Sequence, residues 1–472
     1  MHRIGIGRAL NVACFGIAVF GGLSFADSPV RISVAGGGVA LAQTPSQPLS
    51  PNDISWLFPP PKQVADLAKL IAVADIAATN PQDPNRHDPV WPDAVFQQFV
   101  GIAASPAGGV AGTSDRIGLP SEAQSKAAWF VAGIRIDAGA PGLSDDVIAQ
   151  YGQSPQIRLI IQPVVRNADG TVTLLDFAGH LIFGFTAGQD GPAQPGCFPR
   201  PKPDIASLKG IVAELAALRD GLKAGQFGNK IDTAGTPLGV HPGLADATTA
   251  VNLRNEMKAF LERHIASQRL GSMAIMGLPA GSKAPWIFLA MLGVPPGLVP
   301  KLPNGGFVPV HGPTLDGQQF AQMLNPVPKQ PRVVPTPHAN NLNPVTCQHA
   351  ALPVPVPPIA DRKGSATADV FANQQIANAG DILDLVADPK RSHFFNTDCV
   401  SCHTETRLGM DLRHAPGIEA IDPGVLPNGA WNLRNFGWSP PLGGVVQGTV
   451  TRRTANETAE VVNYINTKLP SQ

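Results

Sequence analysis

Between residues 294 and 358 the chain is crowded with proline and glycine: VPPGLVPKLPNGGFVPVHGP, then NPVPKQPRVVPTP, then ALPVPVPP. Proline has no backbone N–H and a fixed φ, so such sequence builds neither a long helix nor a central strand and favours extended, polyproline-like backbone. Residues 295–360 are therefore expected to be a connector between folded parts. The chain has 472 residues, too many for one compact core, so more than one domain is expected. Its 49 Gly and 48 Pro predict much loop and turn throughout. A hydrophobic content of 43% is ordinary for globular material, and 35 basic residues balance 35 acidic ones. With no basic block, nothing points to a nucleic-acid partner.

The N-terminus reads as an export signal. Arg3 and Arg8 precede a short, mostly apolar run over residues 11–25. Two cleavage patterns follow, Ser24-Phe25-Ala26 and the better matched Ala40-Leu41-Ala42 before Gln43. Residues 1–42 are expected to be a signal peptide, which places the mature chain in the periplasm; an N-terminal membrane anchor is the alternative. Residues 285–299 (PWIFLAMLGVPPGLV) are apolar but short and hold three prolines, so they are expected to be buried core, and no membrane span is expected after signal removal. Cys14 leaves with the signal. Of the remaining cysteines, Cys197 and Cys347 are isolated in proline-containing loops. In an oxidising compartment a disulfide between them is the simplest pairing, with two buried thiols as the alternative.

Residues 43–200 are expected to be mixed α and β. Residues 63–78 have apolar side chains at helical spacing. Two β runs, 156–165 and 171–186, flank an Asp169-Gly170 turn and predict a hairpin. His180 lies in the second run and suits a core position. Residues 201–294 are expected to be helical, with a clean stripe from Ile205 through Leu208, Ile211, Leu215 and Leu218 to Leu222. A second helix is expected over residues 245–265. Met257 and His264 fall on its apolar stripe, where packing is the commoner role than metal ligation. Residues 361–472 form the last unit.

That unit holds the one motif that carries chemistry, Cys399-Val400-Ser401-Cys402-His403. The Cys-x-x-Cys-His spacing is a haem attachment signature. Two thiols three positions apart on a helical turn can each bond one vinyl group, and the next residue brings an imidazole to the iron. A redox dithiol would want a preceding strand, and a structural zinc site would want four ligands, neither of which the surrounding sequence supplies.

From this motif, residues 388–469 resemble the c-type cytochromes of the small, single-haem class. Two further features support the likeness: His414-Ala415-Pro416-Gly417 after the motif, and a last helix over residues 455–469 opened by Thr454-Ala455-Asn456-Glu457 as a capping box. The resemblance implies an all-α domain at the C-terminus, giving a multidomain chain: an α+β region with a β-hairpin, a helical region, a Pro-rich connector and a cytochrome c-like domain. It implies one covalent haem c held by Cys399 and Cys402, with His403 as ligand to the iron and the Pro416 carbonyl supporting that histidine. It also implies a last helix whose aromatic, here Tyr464, packs on the helix leading into the motif, which would present Phe394 or Phe395.

The chain departs from the family where a second iron ligand is expected. Residues 428–450 contain no Met, His, Lys, Cys or Tyr. They do contain Trp431, Phe436 and Trp438, which suit a haem-pocket wall or plain core packing. Met410, His414, His393 or an N-terminal residue could complete the iron, Asn432 or Asn435 could sit weakly beside it, or the position could stay open. A six-coordinate iron suits electron transfer with a redox partner protein. Residues 388–472 carry eight acidic and eight basic side chains, so electrostatic steering of that partner should be modest. An open iron suits a peroxidase-like enzyme, for which Arg434 is the one distal candidate, or a binding and sensing protein.

Overall fold

The computed structural model describes residues 48–80, 83–104, 117–190, 200–277, 286–294, 306–309, 323–324, and, from 383 onward, 383–384, 386–390, 392, 402–403, 405–406, 420–426, 435–439 and 446–471. The expected signal peptide, Cys197, Cys347, Cys399, His393, Met410, His414, Pro416, Trp431, Asn432 and Arg434 lie outside the described residues.

An antiparallel sheet of nine strands forms the core. Its strands are β1 (Ser55–Leu57), β2 (Trp129–Ala140), β3 (Ser154–Arg166), β4 (Val172–Leu174), β5 (Phe177–Gly184), β6 (Leu270–Gly277), β7 (Trp286–Val294), β8 (Gly306–Pro309) and β9 (Met323–Leu324). They are ordered β1-β2-β3-β5-β6-β7-β8, with β4 beside β3 and β9 beside β7. The reason β2 and β3 lie at the centre is legible in their composition. Ile157, Leu159, Ile160, Ile161 and Val164 of β3 are all buried, as are Val131, Ala132, Ile134 and Ile136 of β2, so consecutive residues are covered on both faces of the sheet. The expected hairpin is present: Asn167 accepts from Gly170 across the turn, and Gly170 takes φ +84°, a conformation glycine adopts without steric cost.

Two long helices lie between β5 and β6 in the chain. α2 (Ile205–Ala224) begins at Asp204, whose carboxylate accepts from the Ser207 backbone at 3.0 Å, and ends at Gly225 with φ +79°. Its predicted stripe is the buried face: Leu208, Ile211, Leu215, Leu218 and Leu222. α3 (Ala250–His264) buries Leu253, Met257, Phe260 and Leu261. An earlier helix, α1 (Asp93–Ala104), buries Phe96 and Phe99 around Trp91 and Trp129.

Several expectations are corrected. Residues 63–78 are not one helix. They form two 3-10 turns, Val64–Lys69 and Val73–Asp75, then the strand Ala77–Asn80. The Ile71 carbonyl accepts from Val131 of β2, so sheet pairing takes the backbone groups that a helix would use internally. The region 201–294 is not helical throughout, because 270–277 and 286–294 are strands β6 and β7. The connector is not only a connector, since β8 and β9 pair with β7.

The largest correction concerns the C-terminus: among the described residues no all-α domain stands there, and strands share the region with one long helix. A two-stranded hairpin, β10 (Phe436–Ser439) and β11 (Gln447–Val450), precedes a single long helix, α4 (Arg452–Thr467). Both pack on the sheet near the start of the chain. The buried Gln162 side chain of β3 accepts from Trp438 N at 2.6 Å and donates to Trp438 O at 3.0 Å, so an amide stands in for a neighbouring strand. Gly437 has φ +152°, and a Cβ there would lie 2.6 Å from Gln162 Oε1, so this close approach requires glycine. Trp438 Nε1 donates to the Phe58 carbonyl, and Phe436 lies over Gly133 of β2. These two aromatics are therefore sheet core. Along α4, Thr458 bonds Ser55, the Tyr464 hydroxyl accepts from Gln153, and Asn466 bonds both backbone groups of Leu49. Tyr464 thus packs toward the sheet, and Phe394 and Phe395, its expected partners, lie outside the described residues. Among the described residues no helix is long and apolar enough to cross a membrane.

Candidate functional site

Cys402 and His403 lie on helical backbone, half-buried, and Glu405 and Thr406, also on helical backbone, are fully or nearly buried. Glu405 and Thr406 cap a different helix. The first backbone N–H groups of α4 have no partner within the helix and need acceptors from outside. Thr406 Oγ1 accepts from Arg452 N at 2.8 Å, Glu405 Oε1 accepts from Arg453 N at 3.1 Å, and Thr451 Oγ1 accepts from Thr454 N at 3.4 Å. The expected capping box at Thr454 and Glu457 is corrected accordingly: Thr451 is the N-cap and α4 starts one turn earlier. A carboxylate at the positive end of the helix dipole adds to this arrangement.

Two buried guanidinium groups complete the contact. Arg452 donates through Nε and Nη2 to Glu405 Oε2 at 3.1 and 3.0 Å, and through Nη1 to Asp384 at 2.5 Å. Arg453 donates through Nη1 to the Val386 carbonyl and Ser392 Oγ, through Nη2 to the Ser392 carbonyl, and through Nε to Glu457. Glu457 also accepts from Arg135 of β2 at 2.9 Å. The motif, the segment 383–392 leading into it, α4 and the central sheet are thereby joined by one ionic network.

Its electrostatics follow from burial and pairing. Desolvation alone would raise Glu457, but Arg453, Arg135 and Arg158 outweigh it and hold the carboxyl well below the ordinary carboxylate range. Desolvation alone would lower Arg453, but Glu457, Cys402 and Glu405 outweigh it and raise it. Burial pushes the Glu405 carboxyl up, against the pull of Arg452. A shallow cleft opens beside the network, lined by Arg135, Asp137, Arg158, Arg453, Glu457 and Glu460.

Of the donors that the motif implies, Cys402 and His403 are described and Cys399 is not. A thiol and an imidazole are adjacent on helical backbone and partly exposed, and Glu405 and Thr406, two and three positions after the imidazole, are bonded to α4. Asn435 adds an orphaned acceptor: its Oδ1 is buried without a partner, and its backbone carbonyl accepts from Thr451, next to the residue that bonds Thr406. Among the described residues no group of three or more His, Cys, Asp or Glu side chains could hold a metal ion.

The other histidines and the methionine considered from sequence have structural surroundings. Met257 is fully buried in α3, and His264 Nε2 lies 2.7 Å from Glu214 Oε2. His180 is a half-buried residue of β5, paired opposite Ile160 and Ala274. Asp83–Pro89 is a strand, closed by Asp88 with Asn80 and Arg86. His241, in a stretch that reads as plain loop, is fully buried. It stacks on Trp56 at 4.1 Å and 6°, and its Nδ1 accepts from Gly243 N.

Burial lowers the His241 pKa from 6.5 to about 3. The unfolded chain therefore binds the extra proton first, so stability is complete above pH 6.5 and falls as the pH drops toward 3. The slope is about 1.4 kcal/mol per pH unit. In His241→Asn, which keeps an acceptor for Gly243 but cannot gain this charge, urea midpoints between pH 7 and pH 4 are expected to fall less steeply than in the wild type. Parallel slopes would show that His241 does not set the acid limit.

No protein-family model, curated protein or solved structure matches this chain.

Proposed function

We propose that this chain is an exported electron-transfer protein carrying one haem c, bound covalently through Cys399 and Cys402, with His403 as ligand to the iron. The observation that carries this is the Cys-Val-Ser-Cys-His run, supported by Cys402 and His403 standing half-buried on helical backbone, with Glu405 and Thr406 just after them bonded to α4. When bound, the haem supplies a one-electron redox centre. The protein's part is to hold the thiols and imidazole in place, toward which Glu405 and Thr406 contribute through their bonds to α4. A redox partner protein would meet the exposed side.

The test is expression of the full chain together with a haem-ligation system. The expected product retains one haem per chain after denaturation and acidic organic extraction, and Cys399→Ser/Cys402→Ser retains none. A wild-type chain that releases all its haem, or takes up none, would overturn the proposal. Ferric spectra then separate the chemistry. A low-spin iron indifferent to cyanide supports the carrier, and a high-spin iron that shifts with cyanide or peroxide turns the assignment toward a peroxidase-like or sensing protein.

A further inference from the structure

The helical stretch that bears Cys402 and His403 is followed in the chain by residues docked on α4. Those residues spend their side chains as the N-terminal cap of α4: Thr406 Oγ1 on Arg452 N, Glu405 Oε1 on Arg453 N, and Glu405 Oε2 on the Arg452 guanidinium. The Thr406 hydroxyl also donates to Glu405 Oε1, so both carboxylate oxygens are engaged and the rotamer is locked. From the opposite direction, Arg453 takes the Val386 carbonyl and both oxygens of Ser392, which fixes the segment entering the motif. Described residues before and after the motif, Ser392 on one side and Glu405 and Thr406 on the other, are thus anchored on two consecutive residues of one helix, and that helix is tied to β2 by Glu457 and Arg135. Glu405 is fully buried, and Arg452 and Arg453 are 2% and 5% exposed. A surface ion pair would leave the turn free to move, whereas a buried, fully hydrogen-bonded set holds one geometry.

We propose that Glu405 is a positioning residue for His403: acting through the first turn of α4, it sets the direction in which the imidazole meets the haem iron. This rests on the haem assignment made above. It adds a requirement that the attachment motif alone does not contain, namely a carboxylate two positions after the histidine, docked on a helix N-terminus. Groups that orient a metal's histidine ligand alter the ligand field even when they do not touch the metal.

The experiment compares the full-length wild type with Glu405→Gln and Glu405→Ala, each expressed with a haem-ligation system. Glutamine keeps the shape and the acceptor for Arg453 N, and alanine removes both. Glu405→Gln, which keeps the acceptor for Arg453 N but turns an N–H donor toward the Arg452 guanidinium, is expected to show low-temperature ferric electron paramagnetic resonance g-values between those of wild type and Glu405→Ala. Glu405→Ala is expected to show shifted or split g-values and a several-fold loss of covalent haem, at a temperature where circular dichroism shows all three folded. If Glu405→Ala does not fold, Thr406→Val, which removes only one cap, supplies the comparison and is expected to broaden the same signals. A folded Glu405→Ala or Thr406→Val with unchanged g-values and haem content would overturn the positioning role while leaving the haem assignment standing. Absence of covalent haem in the wild type would remove the haem assignment and this role together.

Discussion

A fragment spanning residues 361–472 is expected to have no stable fold of its own. The side chains that would form its core are buried in the full chain: Phe436, Trp438, Val450, Val461, Tyr464, Ile465 and Leu469 are each at most 4% exposed. Their neighbours include Phe58, Gly133, Gln153 and Gln162, all outside the fragment. At roughly 1.5–3 kcal/mol for each large apolar side chain, returning even half of them to water costs about as much as the whole stability of an ordinary domain. The buried polar groups reinforce this, because Trp438 N–H and C=O and Asn466 would lose Gln162 and Leu49 as partners. Circular dichroism and proton NMR of the fragment, beside the chain from residue 43, would check it. A cooperative thermal transition in the fragment would contradict the packing described.

Arg453→Met is expected to cost about 3–5 kcal/mol, the usual consequence of removing one partner from a buried ion pair. Methionine fills the space but leaves the Ser392 and Val386 carbonyls and one oxygen of Glu457 without their donors. Arg135 remains on the other oxygen of Glu457, which keeps the loss within that range. The penalty should depend on pH in a definite direction. With its arginines in place, Glu457 titrates below its ordinary value of 4.5, so its pairing stabilises the fold above pH 4.5 and is lost as the pH falls toward the folded value. The gap between wild type and Arg453→Met is therefore largest near neutrality and narrows in acid. Urea midpoints at pH 7 and pH 4 measure both features, and a gap that widens in acid would show that Glu457 is not the group left stranded.

Much of the fold is legible where local pattern and tertiary role agree. The stripe from Ile205 to Leu222 is a helix with its own cap at Asp204 and its stop at Gly225, and the branched run after Pro155 is a strand turning at Gly170. Legibility ends where a segment's backbone is claimed from a distance. Residues 63–78 have helical spacing, yet β2 takes the Ile71 carbonyl. The strands β8 and β9 lie in sequence whose proline content argues against a sheet, and they are short edge pieces pairing only with β7, where a missing N–H is tolerated. His241 looks like loop because Pro242 and Gly243 follow it, and its burial depends on Trp56, almost two hundred residues away in sequence.

The site divides along the same line. The chemistry assigned to Cys399, Cys402 and His403 comes from the sequence alone, because it depends on residue types at fixed short spacing, and local spacing is what a sequence states directly. The surroundings of that turn were decided only by the tertiary structure. Glu405, Arg452 and Arg453 are unremarkable charges when read in order, and nothing local marks them as buried. They acquire their role because α4 and the β10–β11 hairpin find more apolar surface on the central sheet than among themselves, which carries the helix N-terminus and its unpaired amides to the motif. Hydrophobic burial, which is non-directional and sums over contacts distant in sequence, therefore settled the architecture around a motif that sequence had already made recognisable.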